Sequence, residues 1–224
     1  MSAAIPAAEP ATVSVPASAS ASASASASAS ASASGELLPT PSQTVGPFYG
    51  YALPFAGGGD LAPAGHPDSV VLHGHVLDGA GAPVPDALIE VWQPAPDGSR
   101  HGAPGSLRRD PVTGAVIGRH GVAFTGFGRV ATDADGHYTV RTLPPGGAPY
   151  LAIVVFARGL THHLHTRAYL HDAEGLAQDQ LLAGLPEARR ATLLTTPEET
   201  GIHRFDIRLQ YDGVHEETVF LDFG

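Results

Sequence analysis

The chain contains no cysteine and no lysine. The first absence excludes disulfides, thiolate metal sites and cysteine nucleophiles, so any metal must be held by nitrogen or oxygen donors. The second leaves arginine as the only strong base, and 12 arginines against 22 acidic residues give a formal charge of −10. An acidic total with scattered arginines argues against nucleic acid or an anionic membrane as a partner. Long apolar runs are missing too. No stretch reaches the roughly 20 residues that a membrane helix needs, and no charged start leads into the apolar segment of a secretory signal. The expected compartment is the cytoplasm. Phosphate-cradling GxxxxGKS, nucleophile-elbow GxSxG and zinc-binding HExxH patterns are also absent.

Residues 17–34 are an uninterrupted Ala-Ser alternation. Such a tract has no large apolar side chain to offset its ordering entropy, so residues 1–34 are expected to form a disordered extension. Residues 35–224 are then one domain, including an amino-terminal arm over residues 36–55. Short β-branched or aromatic runs between Gly, Pro and Asp turns predict strands over 70–77, 87–93, 128–132, 137–142, 150–157, 163–170, 205–209 and 218–222. Leucines between 176 and 194 recur near helical spacing, and Pro186 is placed to open a second short helix. The predicted class is all-β, a β-sandwich with short helical insertions. Arg108 and Arg109 are expected in a solvated loop beside Asp110, and residues 121–128 (GVAFTGFG) in a turn and bulge.

Two segments carry a more specific signal. GHVLDGAGAPVPDALIEVWQ (residues 74–93) reads as two strands joined by turns, with Leu88, Ile89, Val91 and Trp92 supplying bulk for a sheet. TDADGHYTVRTLPPG (residues 132–146) reads as a tight Asp-Gly turn feeding a strand that ends at Pro-Gly. Together they resemble the hallmarks of the intradiol ring-cleaving dioxygenases, and the resemblance covers roughly residues 36–223. It implies that fold and, in iron-bearing members, a Tyr several residues after Trp-Gln, a second Tyr just beyond Pro-Gly, and a following His-X-His strand. Here the first region reads PAPDGSRH with Arg100 at or beside the tyrosine position. The second reads Pro145-Gly146-Gly147-Ala148-Pro149, and the strand begins Tyr150-Leu151-Ala152. Ferric iron is hard and favours phenolate and imidazole donors, whereas a guanidinium repels it.

TPSQTVGPFYGYALP (40–54), FARGLTHHLHTRAYLHD (156–172) and RFDIRLQ with ETVFLDF (204–210, 217–223) are similar to the iron-free alpha subunits of the protocatechuate-cleaving branch. That resemblance implies a homologous iron-bearing beta subunit as partner, Fe(III) in that partner, and protocatechuate and O2 as substrates. By the same resemblance Thr44, Gly46, Pro47 and Phe48 line the substrate pocket, with Phe48 where Tyr is common, and Arg158 grips the ring carboxylate. The alternatives are an arm that only wraps the sandwich and a strand-end arginine paired with an interface acid. No residue of this chain is expected to make or break bonds, and none to hold a metal.

The chain has 12 histidines, and His73/His75 and His163/His165 are His-X-His pairs. Same-face strand neighbours lie about 6.6 Å apart, which lets two imidazoles reach one ion. Neither pair occupies the family's ligand position; the second reads as buried packing or an interface hydrogen-bond network. Two rival functions follow from the residues alone: an independent metal-dependent ring dioxygenase, and a non-enzymatic β-sandwich binding module.

Overall fold

Alternation along Val70–Leu77 (β1) sets the first layer: Val70, Leu72, Gly74 and Val76 face inward while Val71, His73, His75 and Leu77 face out. A period of two is what a half-buried strand requires. The computed structural model describes residues 48–100 and 107–223, apart from the side chain of Tyr51. They fall in the compact unit Pro41–Gly224, whereas the unit Met1–Thr40, with the Ala-Ser tract, lies outside the described residues.

The remaining strands are Leu88–Trp92 (β2), Leu107–Arg109 (β3), Val116–Arg119 (β4), Phe127–Ala131 (β5), His137–Thr142 (β6), Tyr150–Phe156 (β7), Leu164–Tyr169 (β8), Thr196–Glu199 (β9), Ile202–Arg204 (β10) and Ile207–Arg208 (β11). One sheet places β6 antiparallel on one side of β1, with β10 and β11 in succession, both parallel, on the other; β9 closes the edge beyond β10. The second sheet has the order β5-β2-β7-β8, antiparallel throughout. Ile89, Val91, Ile153 and Val155 from the second sheet join Leu72, Val76, Val140 and Ile207 from the first in one buried core. Full burial of such side chains contributes about 1.5–3 kcal/mol each. The all-β sandwich expected from the sequence is present.

Several local expectations need correction. Residues 218–222 form no strand, and only Leu221 bridges to His165, because Thr218 and Val219 bond to Arg208 and to Thr192 and Thr166 instead. Arg108 and Arg109 lie on β3 of a two-stranded hairpin rather than in a loop. Strands β9 and β10 are additional to those expected, because Pro197 and the acidic run beside it look like a loop. The helical stretch consists of a single 3-10 turn Leu176–Gln178, then α2 Gln180–Gly184 and α3 Glu187–Ala191. Pro186 caps α3 rather than occupying its first turn, and the Asp179 side chain caps α2 by accepting from Leu181 N and Leu182 N. The arm forms one helical turn, α1 Tyr49–Ala52.

Candidate functional site

The register of β2 and β7 defines two ends of the pair: Trp92 lies opposite Ala152 and Leu88 opposite Phe156. At the Trp92 end the chain turns sharply, and Gln93 fixes the turn. Its buried amide donates to Leu143 O at 2.8 Å and accepts from Thr142 Oγ1 at 2.6 Å, which joins the two hallmark segments. Gly146 completes the junction: a Cβ there would sit 2.0 Å from Pro96 O, so only glycine lets the two loops touch.

A cavity of about 840 Å³ opens against this junction. Its lining brings Trp92 together with Arg100, Gly147, Ala148, Tyr150 and Ala152, which stand at or beside the positions where the resemblance places iron ligands. Trp92 is half exposed and packs at a tilt on Phe127 with ring centroids 4.4 Å apart. It therefore lines the cavity, which corrects its expected role as sheet-packing bulk. The Tyr150 ring packs against Tyr169 at 5.2 Å and lies 4.2 Å from the Arg167 guanidinium carbon.

Two further arginines, Arg119 and Arg129, line the same cavity. Arg129 is neutralised by Glu90, with Nε and Nη2 at 2.8 and 2.5 Å from Oε1. Arg119 directs its donors to the Gly57, Gly58 and Phe127 carbonyls and the Thr125 hydroxyl, and burial holds its guanidinium below the ordinary arginine range. Among the described residues the lining offers one phenol, no imidazole and no carboxylate beside three guanidinia. This donor set does not fit ferric iron.

The Leu88/Phe156 end carries Arg158. Its Nε and Nη2 lie 2.8 and 2.5 Å from Asp86 Oδ2, and the side chain is 70% exposed. Asp86 thus holds one edge of the guanidinium, and no described residue accepts from Nη1. The pairing with an acid within the chain matches the plainer of the two expectations, but it leaves the outer edge of the fork open. Tyr49 lies alongside. Its ring packs 6.3 Å from Phe156, its buried hydroxyl has no partner among the described residues, and burial and then Asp86 raise its pKa while Arg158 opposes them. The neighbouring Phe48 is 80% exposed. The structure therefore brings Phe48 and Arg158 to one region through Tyr49. Thr44, Gly46 and Pro47 lie outside the described residues.

Asp86, Arg119 and Arg129 carry no mark as site residues in the sequence, whereas Tyr49 is the sequence's alternative source of the phenol that Phe48 lacks. Asp86 reads as a turn residue between Pro85 and the strand; only the sandwich, which sets residues 86 and 158 side by side, reveals it as the partner of Arg158.

Of the two readings of His163/His165, buried packing does not hold. His163 is exposed and His165 half-buried, so they do not pack a core; their rings meet at 4.7 Å within a row that runs from Phe156 through His163 and His165 to Phe223. His73 and His75 face outward beside His137, whose Nε2 is 3.1 Å from His73 Nδ1.

Comparison with known proteins matches the family model described as "Dioxygenase" to residues 46–171. The protocatechuate 3,4-dioxygenase alpha chain of Burkholderia cepacia is 38% identical over 205 residues, covering 82% of this chain and 96% of that one. The alpha chain from Pseudomonas putida is 38% identical over 215 residues, 84% and 98% of the two chains. The Burkholderia cepacia beta chain is more distant, at 31% over 167 residues and 64% and 65% of the chains. Among solved structures, the dioxygenase domain of a carbohydrate-binding fusion protein from Streptomyces sp. SirexAA-E superposes with a TM-score of 0.50. It is 24% identical and covers 77% of this chain and 99% of that one, which supports the shared fold.

Proposed function

This chain belongs to the intradiol ring-cleaving dioxygenase family, and we propose that it is the alpha subunit of a protocatechuate 3,4-dioxygenase, working with a homologous beta subunit that carries the Fe(III). The observation that carries this reading is the separation of two features within one chain. The positions where the family holds iron gather at the Trp92/Ala152 end, whereas Arg158 and Phe48 stand at the Leu88/Phe156 end. The two ends are four strand residues apart, roughly 14 Å. Arg158 cannot reach a ligand in its own chain's cavity, so its open edge is suited to a substrate presented by another subunit.

Iron in the partner would supply the activation of the catechol ring toward O2, with cleavage between its two hydroxyl-bearing carbons to give 3-carboxy-cis,cis-muconate. This chain's part is positioning. The fork of Arg158, steadied by Asp86, would receive the ring carboxylate through two parallel N–H···O bonds, and the exposed Phe48 with Thr44, Gly46 and Pro47 would wall the ring. Tyr49 is buried and cannot replace the phenol that Phe48 lacks without moving. No helix among the described residues is long and apolar enough to cross a membrane; we place the enzyme in the cytoplasm, with residues 1–34 as a dispensable extension.

The test is co-expression with an iron-bearing beta homologue, followed by oxygen uptake with protocatechuate and metal analysis of each chain. Iron and visible absorption confined to the beta chain, with turnover only in the complex, is the expected result. Stoichiometric iron and turnover in this chain alone would overturn it in favour of an independent dioxygenase.

A further inference from the structure

Beyond β8 the chain makes a turn at His171 and Asp172 that lies over β10, where His203 is only 4% exposed. Thr195 joins the two segments: its Oγ1 accepts from His171 N at 3.1 Å and lies 3.5 Å from His203 Nδ1. The register is fixed further by Tyr169 N to Leu193 O at 2.8 Å and Thr195 N to Tyr169 O at 2.9 Å. As a result one donor atom each from His171, Asp172 and His203 lies within 4.8 Å of the other two. His171 Nδ1 lies 3.7 Å from Asp172 Oδ1.

We propose that His171, Asp172 and His203 form a site for a first-row divalent cation such as zinc, separate from the substrate-recognition end. Two imidazoles and one carboxylate are donors for such an ion, and with three protein ligands a coordination position stays open. Donors at about 2.0–2.1 Å from zinc stand roughly 3.3 Å apart in a tetrahedron. Small rotations of the two exposed side chains, His171 and Asp172, close the remaining distance onto the buried His203. Since Thr195 faces Nδ1, Nε2 of His203 is the ligand atom, and the threonine hydroxyl is placed to accept from Nδ1–H and fix that tautomer.

The surroundings select for positive charge. Asp172 and His203 line a cavity of about 980 Å³ whose other polar walls include His66, Asp68, Glu174 and Asp179, and none of the chain's arginines lines it. Asp179 faces Arg167 at 4.0 Å, but Asp68, Asp172 and Glu174 leave three carboxylates without a lining guanidinium, a field that favours a cation. The site shares no residue with Arg158, Asp86 or the arm, so it does not depend on the proposed catalytic role.

The test uses the full chain after dialysis against EDTA, titrated with zinc and followed by calorimetry, metal analysis after gel filtration, and thermal melting. One zinc ion per chain and a raised melting temperature are expected. His171→Ala/Asp172→Asn, which changes only exposed side chains, should melt at the parental temperature without zinc and lose both the retained ion and the shift. His163→Ala/His165→Ala should keep both. Failure of the parent to retain zinc, retention by the first variant, or loss in the second alone would each overturn the assignment.

Discussion

Arg158 and Asp86, 72 residues apart in sequence, face each other across the end of the β2/β7 pair with Nη2 2.5 Å from Oδ2. The contact leaves the guanidinium in a fixed orientation while its outer edge stays exposed. An arginine held this way loses less freedom when it grips a carboxylate, which is what substrate recognition asks of it.

In the assembled enzyme, Arg158→Ala should therefore raise the KM for protocatechuate far more than for catechol, which lacks the carboxylate. A charge-assisted hydrogen bond contributes about 1.5–3 kcal/mol, corresponding to roughly 10- to 150-fold in KM. Asp86→Asn should give a smaller rise of the same selectivity, because the fork remains but is no longer steadied. Steady-state kinetics on both substrates decide the matter; an equal effect on the two would mean that Arg158 serves only the sandwich.

The sandwich was legible in the sequence because its strands alternate cleanly, as in β1, are apolar throughout, as in β7, or are apolar but for one residue, Glu90, as in β2. Arg100, Ala148 and Ala152 were legible as well, at places where the iron-bearing members of the family carry donors. The pairing of Arg158 was not. Nothing local marks Asp86 as its partner, and the two meet only because Leu88 and Phe156 are in register. Strands β9 and β10 were hidden for a different reason: β9 is exposed along its whole length, so no burial pattern shaped its residues.

Removal of residues 1–34 should leave assembly with the beta subunit and turnover unchanged. An Ala-Ser alternation has no side chain large enough to contribute a buried contact. Gel filtration of the co-expressed pair, with oxygen uptake, measures both, and loss of the complex would give the tract a role in assembly.

Gln93→Leu should destabilise the chain by about 2 kcal/mol, because it leaves the Leu143 carbonyl and the Thr142 hydroxyl without their buried partner. Urea denaturation reads the loss directly. The tryptophan next to it, Trp92, is the only one in the chain and lies at the rim of the cavity, so its fluorescence reports whether the junction loosens before the core.

Acidification should act on the histidine cluster of the outer sheet face before it reaches the carboxylates. His73 Nδ1 and His137 Nε2 lie 3.1 Å apart, so one must donate and the other accept; with both imidazoles protonated, two N–H groups would face each other. Glu198 holds the far nitrogen of His73 at 2.9 Å, while His75, Asp133 and Arg204 surround His137. Burial, and then the positive charge of His75 and His73, keep the His137 pKa below the ordinary imidazole value, with Asp133 opposing and Arg204 reinforcing the shift. A histidine with a lowered pKa contributes stability that is complete above about pH 6.5 and is lost as the pH falls below it, because the unfolded chain takes up the proton first. The lowered carboxyl pKa of Asp206, where burial is outweighed by Arg204 and the His75 amide, acts only below about pH 4. Melting temperature should thus begin to fall between pH 7 and pH 6, well before carboxylates titrate. His137→Gln should flatten that first decline while leaving the acid limb in place, and an unchanged profile would locate the sensitivity in another histidine.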